Sequence, residues 1–388
     1  MQKVKKSNKM NKLKITLLYI LLFQMLTAFA QVDKVETNVS ITDTADISIL
    51  SVFPDSFPNI SVLFRAETRK NEPIWDLDKS KMQVRENDED CDVISLEQVS
   101  KNKPINIGVV FDHSGSMAYE ESQLFDSTGA MLFTVSPEGY ITFPIGYIAP
   151  IENAKKAVNE FVGSFNLNKD YISLIGFSHF VDTKLPLSQN IDTVKAVVEA
   201  FRAEGSTALY DAMIQSLWAI KDSNGIKVLV VLTDGNDNSS RFTWHKVVDE
   251  ANKNDIPIFI IGLGDVNVDT LQAIAEQTKG QFYYTKDSKS LNGIYSLISK
   301  QVQSFYNLVY QSSNIAEADT NRRIELSFNI DSIYITPNST KIELPKEVVA
   351  YMVKKEKERS YFVKGGIATV ALISVGVLLL YFRRKNKV

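Results

Sequence analysis

Hydrophobic and polar positions change rhythm along this chain, and each change predicts a different kind of element. The first residues carry a basic head of Lys3, Lys5, Lys6, Lys9, Lys12 and Lys14, followed by a mostly apolar stretch from Ile15 to Leu26. Thr27-Ala28-Phe29-Ala30 then places small residues at both cleavage-recognition positions, so residues 1–30 read as an export signal cut after Ala30. No cysteine follows that site, which excludes a lipid-modified mature N-terminus. Residues 31–45 are polar and Thr/Asp-rich, a short linker. From there to about residue 103 the pattern becomes short alternating or apolar runs: Ile60–Phe64, Met82–Val84 and Val93–Leu96, punctuated by Pro54, Pro58, Asn71 and Pro73. Strands at such spacing predict a small all-β sandwich over 46–103.

From Ile105 the rhythm alternates between strand and helix. The runs Ile105–Phe111, Tyr171–Phe177, Lys227–Leu232 and Ile256–Gly262 lack clean alternation, as expected when both faces of a sheet are covered. Between them lie amphipathic segments at Ile151–Phe165, Ile191–Ala203, Leu209–Lys221, Phe242–Lys253 and Val268–Lys279. Alternating β and α elements over 104–302 predict an α/β domain with a doubly wound, mostly parallel sheet. In such a sheet ligands sit beyond the C-terminal ends of the strands, where Asp112 and Asp234 fall. Residues 118–149 interrupt the order: Ala130–Val135 and Tyr140–Phe143 flank Ser136-Pro137-Glu138-Gly139, a β-hairpin pattern. Residues 303–345 return to strand-like runs at Tyr306–Gln311, Arg323–Phe328 and Ile333–Ile335.

Residues 365–382 contain no charge. As a helix they would reach roughly 27 Å, enough for a transmembrane helix. Arg383, Arg384, Lys385 and Lys387 follow, so 383–388 is expected as a cytoplasmic tail, with the bulk of the chain exported and anchored by a single pass in the cell membrane. The formal net charge of −3, with no basic patch interleaved by aromatics, argues against nucleic acid as a partner. A single cysteine, Cys91, rules out an intramolecular disulfide and suits a bacterial envelope protein better than a disulfide-built secreted module.

The candidate chemistry begins where the first strand of the α/β region ends, in Asp112-His113-Ser114-Gly115-Ser116. One carboxylate and two hydroxyls meeting at a turn are oxygen donors suited to a hard cation such as Mg²⁺. The motif resembles the first segment of the metal-ion-dependent adhesion site of von Willebrand factor type A domains. Two later loops extend the resemblance: Gly205-Ser206-Thr207-Ala208-Leu209-Tyr210-Asp211, and Leu232-Thr233-Asp234-Gly235 after a hydrophobic strand. The resemblance covers roughly residues 105–300 and implies a metal site of Asp112, Ser114, Ser116, Thr207 and Asp234. Asp112 would act through bound water. It further implies Mg²⁺, or Mn²⁺ or Ca²⁺, as the ion and a protein partner that offers it a carboxylate. In related bacterial proteins a β domain precedes such a domain, and the material that follows it can complete that β domain.

Enzyme readings are weaker. Three consecutive residues, Asp112-His113-Ser114, cannot adopt triad geometry. The hydrolase elbow needs glycine where Asp112 and Ser116 stand. His113, His179 and His245 show no zinc spacing. The expected function is therefore a membrane-anchored, metal-dependent binding protein and not an enzyme; a metal-independent scaffold is the alternative and a hydrolase the remoter one. Trp218, Tyr283, Tyr284 and Cys91 are expected to pack in the core.

Overall fold

Every residue of the strand Ile105–Asp112 is buried, and that sets the architecture around it. In the computed structural model, the described residues are 43–358, apart from 55, 127, 140, 314–319, 330–332, 337, 345, 348, 352 and 356. Strands β1 (Asp43–Phe53), β2 (Asn59–Thr68), β3 (Met82–Glu86) and β4 (Glu89–Gln98) precede the buried strand, which is β5. A short hairpin, β6 (Thr134–Val135) and β7 (Ile141–Thr142), is followed by β8 (Tyr171–Phe177), β9 (Val181–Ser188), β10 (Ile226–Thr233), β11 (Ile258–Leu263) and β12 (Gln281–Thr285). The last strands are β13 (Tyr306–Gln311), β14 (Asn321–Phe328), β15 (Ile333–Thr336) and β16 (Asn338–Glu343). The principal helices are α1 (Pro150–Gly163), α2 (Ile191–Ala200), α3 (Leu209–Ile220), α4 (Trp244–Lys253), α5 (Val268–Gln277) and α6 (Leu291–Gln303).

A six-stranded sheet in the order β12-β11-β10-β5-β8-β9 forms the middle layer. Its neighbours run parallel except at the β8–β9 edge, which is antiparallel. Alternate residues of β5 serve opposite faces: Ile107, Val109 and Phe111 pack with Val158, Phe161, Val198 and Ile298 of α1, α2 and α6. Val110 joins Ile214, Leu217, Val247 and Ile274 of α3, α4 and α5. Each such aliphatic side chain contributes about 1.5–3 kcal/mol on full burial, which explains why the strand is mostly apolar on both faces. The helices start where local chemistry allows. Pro150 opens α1, and its buried stripe Ile151, Ala154, Val158 and Phe161 recurs at helical spacing. The Asn267 side chain caps α5 by accepting from Thr270 N at 3.0 Å.

The second layer corrects the expected fold class of a small all-β sandwich beside the doubly wound sheet plus a C-terminal transmembrane helix. The β portion is one eight-stranded sheet in the order β15-β1-β2-β13-β4-β3-β14-β16. It is antiparallel throughout except for the parallel β1–β15 pair. Strands from the two ends of the described chain interleave: Leu308 of β13 lies between Val62 of β2 and Leu96 of β4. Local periodicity marks strands but carries no information on a partner more than two hundred residues away, so strands of 46–103 and 303–345 meet in one sheet that their own spacing does not announce. No helix among the described residues is long and apolar enough to cross a membrane. The segments 1–30, 365–382 and 383–388 lie outside the described residues.

One face of the large sheet builds its own core from Ile47, Ile60, Phe64, Val84, Leu308 and Leu326. From the other face Leu50 and Leu63 join the core beneath α6. A buried ion pair within β2, Arg65 Nε 2.7 Å from Glu67 Oε1, is tied to the other layer by Arg65 Nη2, which donates to the Gly280 carbonyl at 3.2 Å.

Smaller expectations also change. The hairpin of the insertion has strands of only two residues each. Trp218 is 44 % exposed and meets Phe242 edge-on at 5.8 Å, so it covers the core without entering it. Tyr283 is partly buried, Tyr284 is exposed, and Cys91 is half-buried with its thiol 3.6 Å from Ser313 Oγ.

Candidate metal centre

Phe111 of β5 lies beside Leu232 of β10, so Asp112 and Thr233 leave the sheet side by side at its C-terminal edge. There the chain turns. Met117 N donates to the Ser114 carbonyl at 3.0 Å, closing a short 3₁₀ turn over Gly115–Ala118. The turn sits against the loop that precedes α3: Gly115 N donates to the Gly205 carbonyl at 3.0 Å. A β-carbon at position 115 would stand 3.1 Å from that carbonyl oxygen, so glycine permits the approach. Gly205 has φ +79°, a conformation in which a side chain would be strained.

Asp112, Thr233, Ser114, Ser116 and Asp234 form one hydrogen-bonded cluster at this edge. Asp112 Oδ1 accepts from Ser114 N at 2.8 Å, and Asp112 Oδ2 accepts from Thr233 Oγ1 at 2.7 Å. Ser114 Oγ and Ser116 Oγ are 3.1 Å apart. Both donate to Asp234 Oδ1, at 3.3 and 2.8 Å. Thr207 stands on the other side of Gly235, where a β-carbon would meet Thr207 Oγ1 at 3.1 Å and Ser116 Oγ at 3.8 Å. Thr207 is fixed through its backbone, its N–H donating to Asn238 Oδ1 at 2.9 Å and its carbonyl accepting from Asn238 N at 3.0 Å. Asp211, in the first turn of α3, accepts from Arg241 N and Phe242 N at 2.9 and 3.0 Å and so ties down the loop that follows Asp234.

The electrostatics of this cluster are adverse without a counter-charge. Burial pushes the Asp112 carboxyl up, against the hydrogen bonds from Ser114 and Thr233. Burial, together with the charge of Asp112, pushes Asp234 up to about 8. A divalent cation between the hydroxyls and Asp234 would remove that penalty. The spacing suits one. Neighbouring ligands of an octahedral ion at about 2.1 Å lie about 3 Å apart, which is the separation of Ser114 Oγ, Ser116 Oγ and Asp234 Oδ1. Among the described residues no group of three or more His, Cys, Asp or Glu could hold a metal ion. The oxygen set is instead two carboxylates and three hydroxyls, and it fits a hard cation.

Sequence reasoning gave no role to Thr233 or Asn238, the residues that hold Asp112 and Thr207. The position of Thr233 beside Asp234 was the one available signal. His113 is buried, stacks on Phe201 with centroids 4.9 Å apart, and sets Nε2 3.1 Å from Asp182 Oδ1. A cleft of 1040 Å³ opens beside the cluster, lined by Ser116 and Asp234 and by Tyr119, Phe125, Tyr284 and Lys286 among others.

Residues 148–297 match the sequence profile of the von Willebrand factor type A domain. This stretch of the chain is similar to a domain of that family, and the matched span starts after the Asp112–Ser116 motif, at the last two residues of the insertion. A domain of this type points to protein–protein interaction or adhesion. No curated protein matches the chain. Among solved structures, proximal thread matrix protein 1 from the mussel byssus, with a zinc-occupied MIDAS motif, is 18 % identical, with 55 % of this chain and 48 % of that one covered and a TM-score of 0.41. BatB from Bacteroides thetaiotaomicron is 18 % identical, with coverage of 52 % and 100 % and a TM-score of 0.38. The von Willebrand factor type A protein from Catenulispora acidiphila is 12 % identical, with coverage of 78 % and 72 % and a TM-score of 0.41. The chain spans about half the length of the mussel protein.

Proposed function

We propose that this chain is a binding protein whose von Willebrand factor type A domain holds Mg²⁺, with Mn²⁺ or Ca²⁺ as substitutes, and through it a carboxylate of a protein partner. The observation that carries the reading is the meeting of Ser114 Oγ, Ser116 Oγ and Asp234 Oδ1 within 2.8–3.3 Å at the mouth of an open cleft. Ser114, Ser116, Thr207 and Asp234 would hold the ion. Asp112 would orient the site from beneath, since its two oxygens are already engaged by Ser114 N and Thr233 Oγ1. When bound, the ion supplies an electrophilic position to which an outside carboxylate can add. The remaining work falls to the chain: its loops keep the hydroxyls in register, and its cleft admits the partner. Export of the chain belongs to the same proposal and rests on the basic head and apolar stretch before Ala30.

Binding is favoured over hydrolysis by the wiring of His113. Its Nε2 faces Asp182, but its Nδ1 faces the Arg202 carbonyl at 3.1 Å and not a serine hydroxyl. A nucleophile–base pair of the hydrolase kind would need that nitrogen on a serine. A metal-independent scaffold draws support from one feature: the serine hydroxyls already satisfy Asp234 by hydrogen bonding. Calorimetric titration of the purified protein with MgCl₂ separates the two. One site is expected, and Asp112→Ala should abolish it. Equal binding by both proteins contradicts the site, and no binding by either favours the scaffold.

A further inference from the structure

The insertion between the Ser116 turn and α1 has an unusual composition for an exposed loop. Residues 118–149 include Glu120, Glu121, Asp126 and Glu138 but no lysine, arginine or histidine. They also expose Tyr119, Phe125, Met131, Leu132, Val135, Ile141 and Ile148, each more than a third accessible, and Ile145 more fully still. Exposed apolar clusters of this kind mark interaction surfaces. The root of the insertion is held on the domain. Tyr147 Oη donates to the Ala118 carbonyl at 2.8 Å, and Glu120 Oε2 accepts from Ser288 N at 3.2 Å. A wall fixed in this way loses little freedom on binding.

That wall bounds the 1040 Å³ cleft that Ser116 and Asp234 also line. Besides the metal-site residues, the lining carries Glu120 and Asp126 from the insertion, Glu120 being tied to Ser288 N, and Asp265 from the turn after β11, against Lys286 as the one cation among the described lining residues. Asp126 is kept ionised by donors on one oxygen, Thr128 N at 2.8 Å, Thr128 Oγ1 at 2.6 Å and Ala130 N at 2.9 Å. Phe125 and Tyr284 add half-exposed aromatic surface to the same lining. Among the described lining residues, positive charge therefore comes from Lys286 alone, to which the proposed ion would add, while carboxylates and aromatic surface make up much of the rest.

We infer that the cleft takes an extended segment of a partner protein that combines one acidic residue, a lysine or arginine, and an apolar side chain. The acidic residue meets the ion, the basic one meets Asp126 or Asp265, and the apolar one covers Phe125 and Tyr284. The acidic anchor rests on the function proposed above; the basic and apolar requirements rest on the cleft alone. An anionic lipid surface is disfavoured by the same carboxylates, which would repel it.

Selection of a random linear peptide library on the immobilised full chain in Mg²⁺ tests this. Enriched sequences should pair Asp or Glu with Lys or Arg and with Leu or an aromatic residue. Selection on the double variant Asp126→Asn, Asp265→Asn should keep the acidic residue and lose the basic one. Each carboxylate removed should weaken a selected peptide about two- to fivefold, the range of an exposed ion pair, and flatten its salt dependence. Enrichment of an acidic residue without a basic one on the unaltered chain overturns the inference while leaving the metal reading intact. Basic and apolar enrichment that is unchanged by chelator and lacks an acidic residue overturns the metal reading and keeps the cleft. Absence of any enrichment, or retention of the chain on phosphatidylserine-containing vesicles through the insertion, overturns the inference outright.

Discussion

Thr233 Oγ1 donates a 2.7 Å hydrogen bond to Asp112 Oδ2 across 121 positions of sequence, and both side chains are fully buried. This bond fixes the carboxylate that lies beneath the candidate metal centre. Thr233→Val keeps the shape of the side chain and removes the donor. The expected result is a loss of about 1–3 kcal/mol in stability, the cost of a buried acceptor left unmade, together with weaker Mg²⁺ binding. Denaturant unfolding and calorimetry read the two effects, and unchanged values in both would remove Thr233 from the site's support.

Asp234 ties stability to pH. Its carboxyl is pushed up from 3.8 to about 8 by burial and by Asp112, so the folded metal-free protein holds a proton that the unfolded chain releases near pH 4. The stabilisation from that proton is complete below about 3.8 and disappears as pH rises through about 8. A cation replaces the proton, so the gain in melting temperature on adding Mg²⁺ should grow from pH 5 to pH 8. A gain independent of pH over that window would contradict the assignment of Asp234 to the ion.

A third prediction concerns the large sheet. Arg322 Nε on β14 lies 3.2 Å from Glu86 Oε1 on β3, and both side chains are wholly buried. Tyr310 Oη and Ser312 Oγ donate to the same carboxylate at 3.0 and 2.9 Å. Arg322→Met leaves Glu86 without its cation and should cost about 3–5 kcal/mol. A melting curve within experimental error of the parent would refute it.

The same pair explains what could and could not be read from the sequence. The mostly apolar runs at Ile105–Phe111 and Lys227–Leu232, which lack polar–apolar alternation, announce strands covered on both faces, because no other environment hides both sides of a strand. Asp112, Ser114 and Ser116 sit within five residues, so their oxygens could be seen as a group before any fold was known. Thr207 and Asp234 were legible only through likeness to a family, since nothing in their spacing brings them to Ser116. Glu86 and Arg322 belong to strands separated by the whole α/β region, and no periodicity links them. The cleft walls were equally hidden, because Glu120, Asp265 and Lys286 come from separate turns whose meeting depends on the sheet order.

Gly205 supplies a fourth prediction, on the rim of the centre. Its φ of +79° and its closeness to Ser178 and His179, where a β-carbon would stand 2.9 Å from His179 Nδ1, leave no room for a side chain. Gly205→Ala should cost about 1–2 kcal/mol from the left-handed conformation alone. It should also displace the carbonyl that receives Gly115 N, so Mg²⁺ affinity should fall along with stability. A stable variant with full affinity would show that the loop tolerates the change.

The most direct test of the account is anomalous diffraction from crystals of the protein grown with Mn²⁺. The account predicts one anomalous peak, about 2.2 Å from Ser114 Oγ and Ser116 Oγ and adjacent to Asp234, which disappears in Asp112→Ala. A Mn²⁺-loaded crystal with no peak at this edge of the sheet, or with its peak away from these hydroxyls, would contradict it.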